Sequence, residues 1–470
     1  MFKKTKIVAT IGPQTTDKEK IEKMILAGVN VFRLNFSHGS YKEHQLRINL
    51  IKKASLKLKK PVAILQDLCG PKIRIGNFIN SKVFLKHNQK FILTTKKVVG
   101  DENRVFINYP NITKETKKGE IILLDDGKIE LKIDKVKKNE IICHVIYGGE
   151  LSNQKGVNFP QSHLKISSLT PKDIEDIKFG IKNNFDFIAL SFVRTADDVL
   201  LLENILKKLK ADIKIISKIE TREAVKNIDD IIKVSYGIMV ARGDLAVEIG
   251  AEQVPIIQKN IIKKCNNIGK PVIVATQMLD SMINNPVPTR AEVNDVSNAI
   301  LDGADAVMLS AETAMGNFPI KTVEVMSRII KHTEENFDYK KFLTNHHIVS
   351  DLITDSISYG AANVAHILST KLIVALTETG ETAKMISRFR VRQPILGLTP
   401  NKKTYNRLSL IFGCYPLIIS KFKNIEQVKE VVKKNILKNN LAKKGDKIVI
   451  VAGIPFGVKG STNLLMVEAL

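Results

Sequence analysis

Eight short apolar runs recur along the chain, and each is followed by a stretch in which apolar residues return every three or four positions. The runs are residues 5–12 (TKIVATIG), 29–37 (VNVFRLNFS), 61–69 (PVAILQDLC), 186–193 (DFIALSFV), 213–220 (IKIISKIE), 236–244 (YGIMVARGD), 271–279 (PVIVATQML) and 306–313 (AVMLSAET). They are continuous and rich in Val and Ile, the pattern of strands covered on both faces. The intervening stretches carry helix punctuation. Residues 17–27 place Ile21, Met24 and Ile25 at helical spacing and end at Gly28. Thr170, three residues before Asp173 and followed by Pro171, predicts a capped helix start. Eight strand–helix units predict a (β/α)8 barrel, although an open doubly wound sheet shares that signature.

Between Cys69 and Asn158 the rhythm fails. No good amphipathic helix occurs there, and short β-rich pieces take over at 91–95, 121–133 and 141–149. Asp126-Gly127 between two alternating runs predicts a hairpin. Residues 70–158 are therefore expected to form an all-β domain inserted after the third strand. The flanking segments, 1–69 and 159–336, make 247 residues, close to the ~250 of a barrel. From 337 to 470 the alternation restarts. LIVALTETG, PILGLT and KIVIVAG alternate with helical stretches at 351–368, 382–390 and 424–440, which predicts a small α/β domain with a mostly parallel sheet.

Catalytic groups of a barrel belong at the C-terminal ends of its strands. The second run ends in Arg33, Asn35, Ser37 and His38, and the third in Asp67. The fifth ends in Lys218 and Glu220, and the sixth in Arg242, Gly243 and Asp244. Thr276 lies in the seventh run and Glu312 in the eighth. A single polar residue in an apolar strand is commonly a satisfied core group. Many charges at the same end of several strands are costly to bury without a ligand. Glu220 and Asp244 are two hard oxygen ligands on neighbouring strands, suited to Mg2+ that completes its shell with water and substrate. Arg33 and Lys218 supply the positive charge that phosphoryl transfer needs. Gly243 lets a backbone N–H approach a substrate carboxylate, and Asn35, Ser37 and Asp67 offer oxygens for a monovalent cation. Neither GxxxxGK[ST] nor GxGxxG occurs, which argues against a P-loop or dinucleotide enzyme.

Charge and cysteine content narrow the class. The formal net charge is +25, yet 13 arginines stand against 60 dispersed lysines and there is no tryptophan. This reads as a solvated lysine surface rather than a nucleic-acid footprint. No apolar run is long enough to span a bilayer, and the N-terminus lacks the apolar core of a signal peptide. Cys69, Cys143, Cys265 and Cys414 form no CxxC pair, as expected of a reducing cytoplasm.

Taken in order, KIVATIGP, FRLNFSHG (32–39), LCGPKIR (68–74), KGVNFP (155–160), ISKIE (216–220), MVARGDL (239–245), ATQML (275–279), residues 288–314 and SRFR (387–390) resemble pyruvate kinase over the whole chain. The resemblance implies a barrel, an inserted lid and a C-terminal effector domain. It implies transfer of a phosphoryl group from phosphoenolpyruvate to ADP, giving ATP and pyruvate, in a cytoplasmic homotetramer. It assigns Arg33 to the phosphate and substrate, and Lys218 to the transferred group and the enolate. Glu220 and Asp244 match the ligands of Mg2+ or Mn2+. Gly243 and Thr276 match positions near the pyruvate carboxylate and methylene carbon. Asn35, Ser37, Asp67 and the carbonyl of Leu68 match the K+ positions, and Asn35, His38, Arg74 and Lys155 the nucleotide side. Potassium-dependent members usually carry Glu after Gly-Pro, where this chain has Lys72. Its ammonium, folded back beside Asp67, is expected to replace K+. In TETGET, residues Thr377, Thr379, Gly380 and Thr382 resemble a sugar-phosphate effector loop. Glu381 is expected to repel a phosphate there, an ordinary capped helix is the alternative, and GIPFGVKGSTN (453–463) is expected to close over the same ligand. Two rival functions remain at this point. A metal-dependent lyase or aldolase would share the Glu/Asp pair without needing the insert, and a nucleic-acid binder is suggested by charge alone.

Overall fold

The computed structural model describes residues 3–162, 164–345, 352–420, 424–455 and 462–470. Eight parallel strands close into a barrel: β1 (Lys6–Thr10), β2 (Val31–Asn35), β3 (Ala63–Asp67), β4 (Phe187–Leu190), β5 (Lys214–Ile219), β6 (Gly237–Ala241), β7 (Val272–Ala275) and β8 (Ala306–Leu309). Their order around the barrel is their order in the chain, and β8 pairs back onto β1, with Lys6 opposite Ala306. That closure excludes the open sheet. Alternate side chains such as Val31, Leu65, Phe187, Ala189 and Ile216 fill the interior. The other set packs under the surrounding helices in a second apolar layer.

The helix from Lys18 to Ala27 is capped by Asp17 and ends at Gly28, whose φ of 124° only glycine adopts readily. The helix Pro171–Lys182 has the Thr170/Asp173 capping box. The sixth run departs from its reading as one strand. The strand stops at Ala241, and Arg242–Ile249 is a helix. Leu245 and Ile249 are buried one helical turn apart, so Gly243 and Asp244 stand in a first helical turn.

The inserted segment forms a six-stranded sheet and a separate pair, Lys82–Leu85 with Gly149–Ser152. The hairpin falls where the sequence predicts it, with Leu124 opposite Ile129 and positive φ at Asp125, Asp126 and Gly127. One helical turn, Ile112–Glu115, interrupts an otherwise all-β body that has its own core. The C-terminal sheet runs Cys414–Ile418, Ile395–Thr399, Leu372–Leu376, Lys447–Gly453 and Thr462–Ala469, parallel except for the last strand. This domain docks on the barrel through the buried Arg390, which reaches Asp305 at 2.8 Å and Asn266 at 2.7 Å. Its Leu410 joins the apolar interior of the barrel.

Candidate active site

Strand alternation builds the site. Thr10, Arg33, Asp67, Ser191 and Lys218 each lie two residues beyond an interior apolar side chain: Val8, Val31, Leu65, Ala189 and Ile216. Period two therefore places all five in one polar layer over the apolar interior. The Arg33 guanidinium holds Asp67 Oδ2 through Nε at 2.7 Å and Nη2 at 2.5 Å, and donates from Nη1 to Thr10 Oγ1 at 2.9 Å. The Lys218 ammonium lies 2.8 Å from Glu220 Oε1, 2.7 Å from Ser191 Oγ and 3.3 Å from Asp67 Oδ1. Burial pushes the Asp67 carboxyl up, but Lys218 and Arg33 outweigh it and hold the carboxyl below its ordinary value. Burial pushes the Lys218 ammonium down, but Asp67 and Glu220 outweigh it and hold it above.

Glu220 is 1% exposed and also accepts the Phe192 N–H at 2.7 Å. That N–H is aimed by a left-handed Phe192, φ 54°. Burial raises the Glu220 carboxyl, Lys218 opposes the rise and nearby Asp244 adds to it. Two like charges close together disfavour ionisation unless cations meet them, and here Lys218 meets Glu220 and Lys72 meets Asp244. Among the described residues no three His, Cys, Asp or Glu side chains gather to hold a metal. A pair of carboxylates fits a hard divalent ion that draws its other ligands from water and substrate.

Lys72 corrects the expectation made for it. Its ammonium sits 3.1 Å from Asp244 Oδ1 and not on Asp67, whose two oxygens are already met by Arg33 and Lys218. Of the other predicted cation oxygens, Asn35 Oδ1 accepts the Ser37 N–H at 3.1 Å and the Leu68 carbonyl accepts from Ser191 at 2.7 Å. Asn35 and Asp67 are register partners on β2 and β3.

Thr276 has φ 72°, a conformation that costs a β-branched residue on the order of 1–3 kcal/mol. Its Oγ1 accepts the Gly243 N–H at 2.9 Å and donates to the Ala275 carbonyl at 2.6 Å. A Cβ at Gly243 would meet Thr276 only at ordinary contact distances, 3.7 Å and beyond. The glycine thus keeps space clear beside its N–H rather than relieving a clash. Arg242 turns away from the layer, to Asp295 at 2.6 Å and to the Thr276 carbonyl at 2.7 Å. Glu312 accepts backbone N–H groups of Ser310 and Leu279 and closes its own turn.

The predicted nucleotide-side residues divide between two bodies. His38 is exposed at the end of β2, and its carbonyl is held by His44 Nε2 at 3.1 Å. Arg74 and Lys155 belong to the insert, where Arg74 bridges Gly156 and donates to the Gln154 carbonyl at 2.9 Å. Lys155 lies 2.8 Å from Asp125 in the hairpin turn. Sequence reading missed Thr10, Ser191 and Phe192. Counting by twos from the interior residues finds the first two. The left-handed turn at Phe192 has no sequence signal.

A closed parallel barrel whose strand ends gather cations around paired carboxylates, with an inserted domain carrying two more cations, has the build of a barrel enzyme acting on an anionic substrate. Comparison with known proteins makes this specific. The family model for the pyruvate kinase barrel domain matches residues 2–323, and that for the pyruvate kinase alpha/beta domain matches 355–468. The chain is 46% identical over 474 residues to a pyruvate kinase of Clostridium perfringens, covering 100% of both. It is 46% identical over 466 residues to one of Thermotoga maritima, covering 99% of each. It superposes on the crystal structure of a pyruvate kinase from Cryptosporidium parvum with a TM-score of 0.95 at 36% identity, over 99% of this chain and 96% of that one. The chain belongs to the pyruvate kinase family. It is a phosphotransferase of glycolysis that moves the phosphoryl group of phosphoenolpyruvate to ADP, giving ATP and pyruvate, in a family that uses a divalent metal.

Proposed function

We propose that Arg33, Lys218 and Thr276 are the catalytic groups and that Gly243 and Asp244 complete the substrate site. The observation that carries this is the Lys218 ammonium, fixed by Asp67, Glu220 and Ser191 in the same layer as Arg33. A phosphoryl group between the two cations meets positive charge as its bond to the enol oxygen breaks and a bond to a terminal oxygen of ADP forms. Lys218 then faces the enolate oxygen. The substrate carboxylate takes the Gly243 N–H from Thr276, which frees a lone pair of that hydroxyl to hold the water that delivers a proton to the methylene carbon. Glu220 and Asp244 would hold Mg2+ or Mn2+, which when bound would supply positive charge against the negative charge that develops during transfer. Lys218→Met should lower kcat by about 100-fold or more, with a much smaller change in KM for phosphoenolpyruvate. A raised KM at unchanged kcat would make Lys218 a simple binding residue.

Asn35, His38, Arg74 and Lys155 form the nucleotide side in this reading, the last two arriving with the insert. Asn35, Ser37, Asp67 and the Leu68 carbonyl form the monovalent site, and the Lys72 charge makes K+ dispensable by way of Asp244. At Thr377, Thr379, Gly380 and Thr382 a phosphorylated effector would bind a loop whose own bonds are Thr377 Oγ1 to the Gly380 N–H (2.8 Å) and Thr382 to Thr462 (2.8 Å). Glu381, expected to repel a phosphate, is paired with Lys384 at 2.7 Å. Residues 456–461 of the glycine-rich segment lie outside the described residues. The homotetramer and the domain limits at 69/70, 158/159 and 336/337 complete the proposal. A cytoplasmic location rests on four unpaired cysteines. Among the described residues no helix is long and apolar enough to cross a membrane.

A further inference from the structure

We infer that Ser191 is a positioning residue for phosphoryl transfer, holding the direction of the Lys218 ammonium through a neutral acceptor. The inference rests on the catalytic reading of Lys218. Ser191 follows β4, is 1% exposed, and was not among the residues singled out by sequence. An ammonium has three N–H donors, and here they meet Glu220 at 2.8 Å, Asp67 at 3.3 Å and Ser191 Oγ at 2.7 Å. A hydroxyl has one proton. Ser191 Oγ lies 2.7 Å from the Leu68 carbonyl and 3.4 Å from Asp67 Oδ1, so its proton belongs to the carbonyl. Its lone pairs are thereby left to Lys218, and the sense of the bond is fixed.

The distinction between the three acceptors matters. Each carboxylate orients the ammonium but also cancels its charge. The hydroxyl orients it at little electrostatic cost, leaving its field available to the transferring group. With the carboxylate of Glu220 given over to a divalent ion, Ser191 and Asp67 would remain to orient Lys218, and Ser191 is the nearer, 2.7 Å against 3.3 Å. The backbone around Ser191 is clamped as well. A Cβ on Gly70 would stand 3.0 Å from Ser191 Cβ and from the Phe192 ring, and φ there is 68°, so a side chain would be strained and would press on the serine. Phe192, the next residue, aims its N–H at Glu220. One dipeptide after β4 thus sets both Lys218 and a proposed metal ligand.

The test is a double-substitution cycle on the full chain. Ser191→Ala should lower kcat by about 10- to 100-fold, the range seen for partners that orient metal-ligating groups, with KM for phosphoenolpyruvate within about threefold and a cooperative melting transition retained. Ser191→Cys, a weak acceptor of similar size, should fall between Ala and wild type. The double variant Ser191→Ala/Lys218→Met should be no slower than Lys218→Met alone, because the serine acts only through the lysine. Exchange of the methyl protons of pyruvate gives a second readout where turnover is too slow. Unchanged kcat in Ser191→Ala, or multiplied losses in the double variant, overturns the inference while leaving Lys218 catalytic. Wild-type kcat in Lys218→Met alone overturns the reading of Lys218 itself.

Discussion

Asp67 and Asp186 are both buried in the barrel, 1% and 3% exposed, yet their carboxyls move in opposite directions. Asp67 is touched by two cations and stays ionised. Asp186, at the start of β4, accepts the Ile64 N–H at 2.9 Å, and burial pushes it up to about 6. The Ile64 N–H, Arg407, Asn406 and Lys403 only partly offset that rise. The partner, not the depth, decides the protonation state. Because the folded pKa of Asp186 lies above its unfolded value, the folded state binds more protons between about pH 4 and 6. Its stabilising contribution is complete below pH 4 and is lost as the pH rises through about 6. Asp186→Asn keeps an acceptor for Ile64 and removes the buried charge. It should stabilise the protein by about 2–3 kcal/mol at pH 8, by about 1 kcal/mol at pH 4.5, and by almost nothing below about pH 3.5. Melting curves across that range check this, and parallel curves for the two proteins would show that Asp186 is not the titrating group.

The helix Arg242–Ile249 shows what a sequence discloses at the level of an element. Continuous apolar runs and their helical partners were enough to predict parallel strands covered on both faces, while closure into a barrel is shown by the pairing of β8 with β1. The strand-end charges were legible by the same logic, and so was the hairpin at Asp126-Gly127. The switch from strand to helix after Ala241 was not, since Val240, Ala241 and Leu245 suit either. Nor was the contact of Lys72 with Asp244, which spans 172 residues and is set by how the Gly70-Pro71 turn leaves the barrel. That contact has consequences. An ammonium on Asp244 competes with a divalent ion for the same oxygens, so Lys72→Met should bind Mn2+ more tightly, by severalfold, in a direct titration. Wild-type turnover should be largely unaffected when K+ is replaced by a bulky organic cation. Lys72→Glu, which exchanges a positive for a negative charge in this cluster, should acquire a K+ requirement. If wild-type activity collapses without K+ and the substitution changes little, Lys72 does not serve as the internal cation.

At the scale of the molecule, the insert is a separately packed body tied to the barrel close to the chemistry. Among the described residues its core shares no buried residue with that of the barrel. Its two roots lie side by side: a Cβ on Gly156 would be 3.0 Å from Lys72 Cε. Each root also grips the one helix that carries Gly243 and Asp244, through Lys72 to Asp244 at 3.1 Å and Asn158 to Glu248 at 2.9 Å. Movement of the insert would therefore pull on the proposed substrate and metal positions and carry Arg74 and Lys155 with it. A body with its own core on two adjacent roots can rotate as a unit, and closure over the strand ends would exclude the water that otherwise takes the phosphoryl group. Replacing residues 73–155 by a short linker removes that body without opening the apolar interior of the barrel. The shortened chain should melt cooperatively and still exchange the methyl protons of pyruvate slowly, since Lys218, Glu220, Asp244 and Thr276 remain. It should make no ATP from phosphoenolpyruvate and ADP, having lost Arg74, Lys155 and the cover. ATP formation at a rate near that of the whole protein would show that the insert is not part of the transfer step.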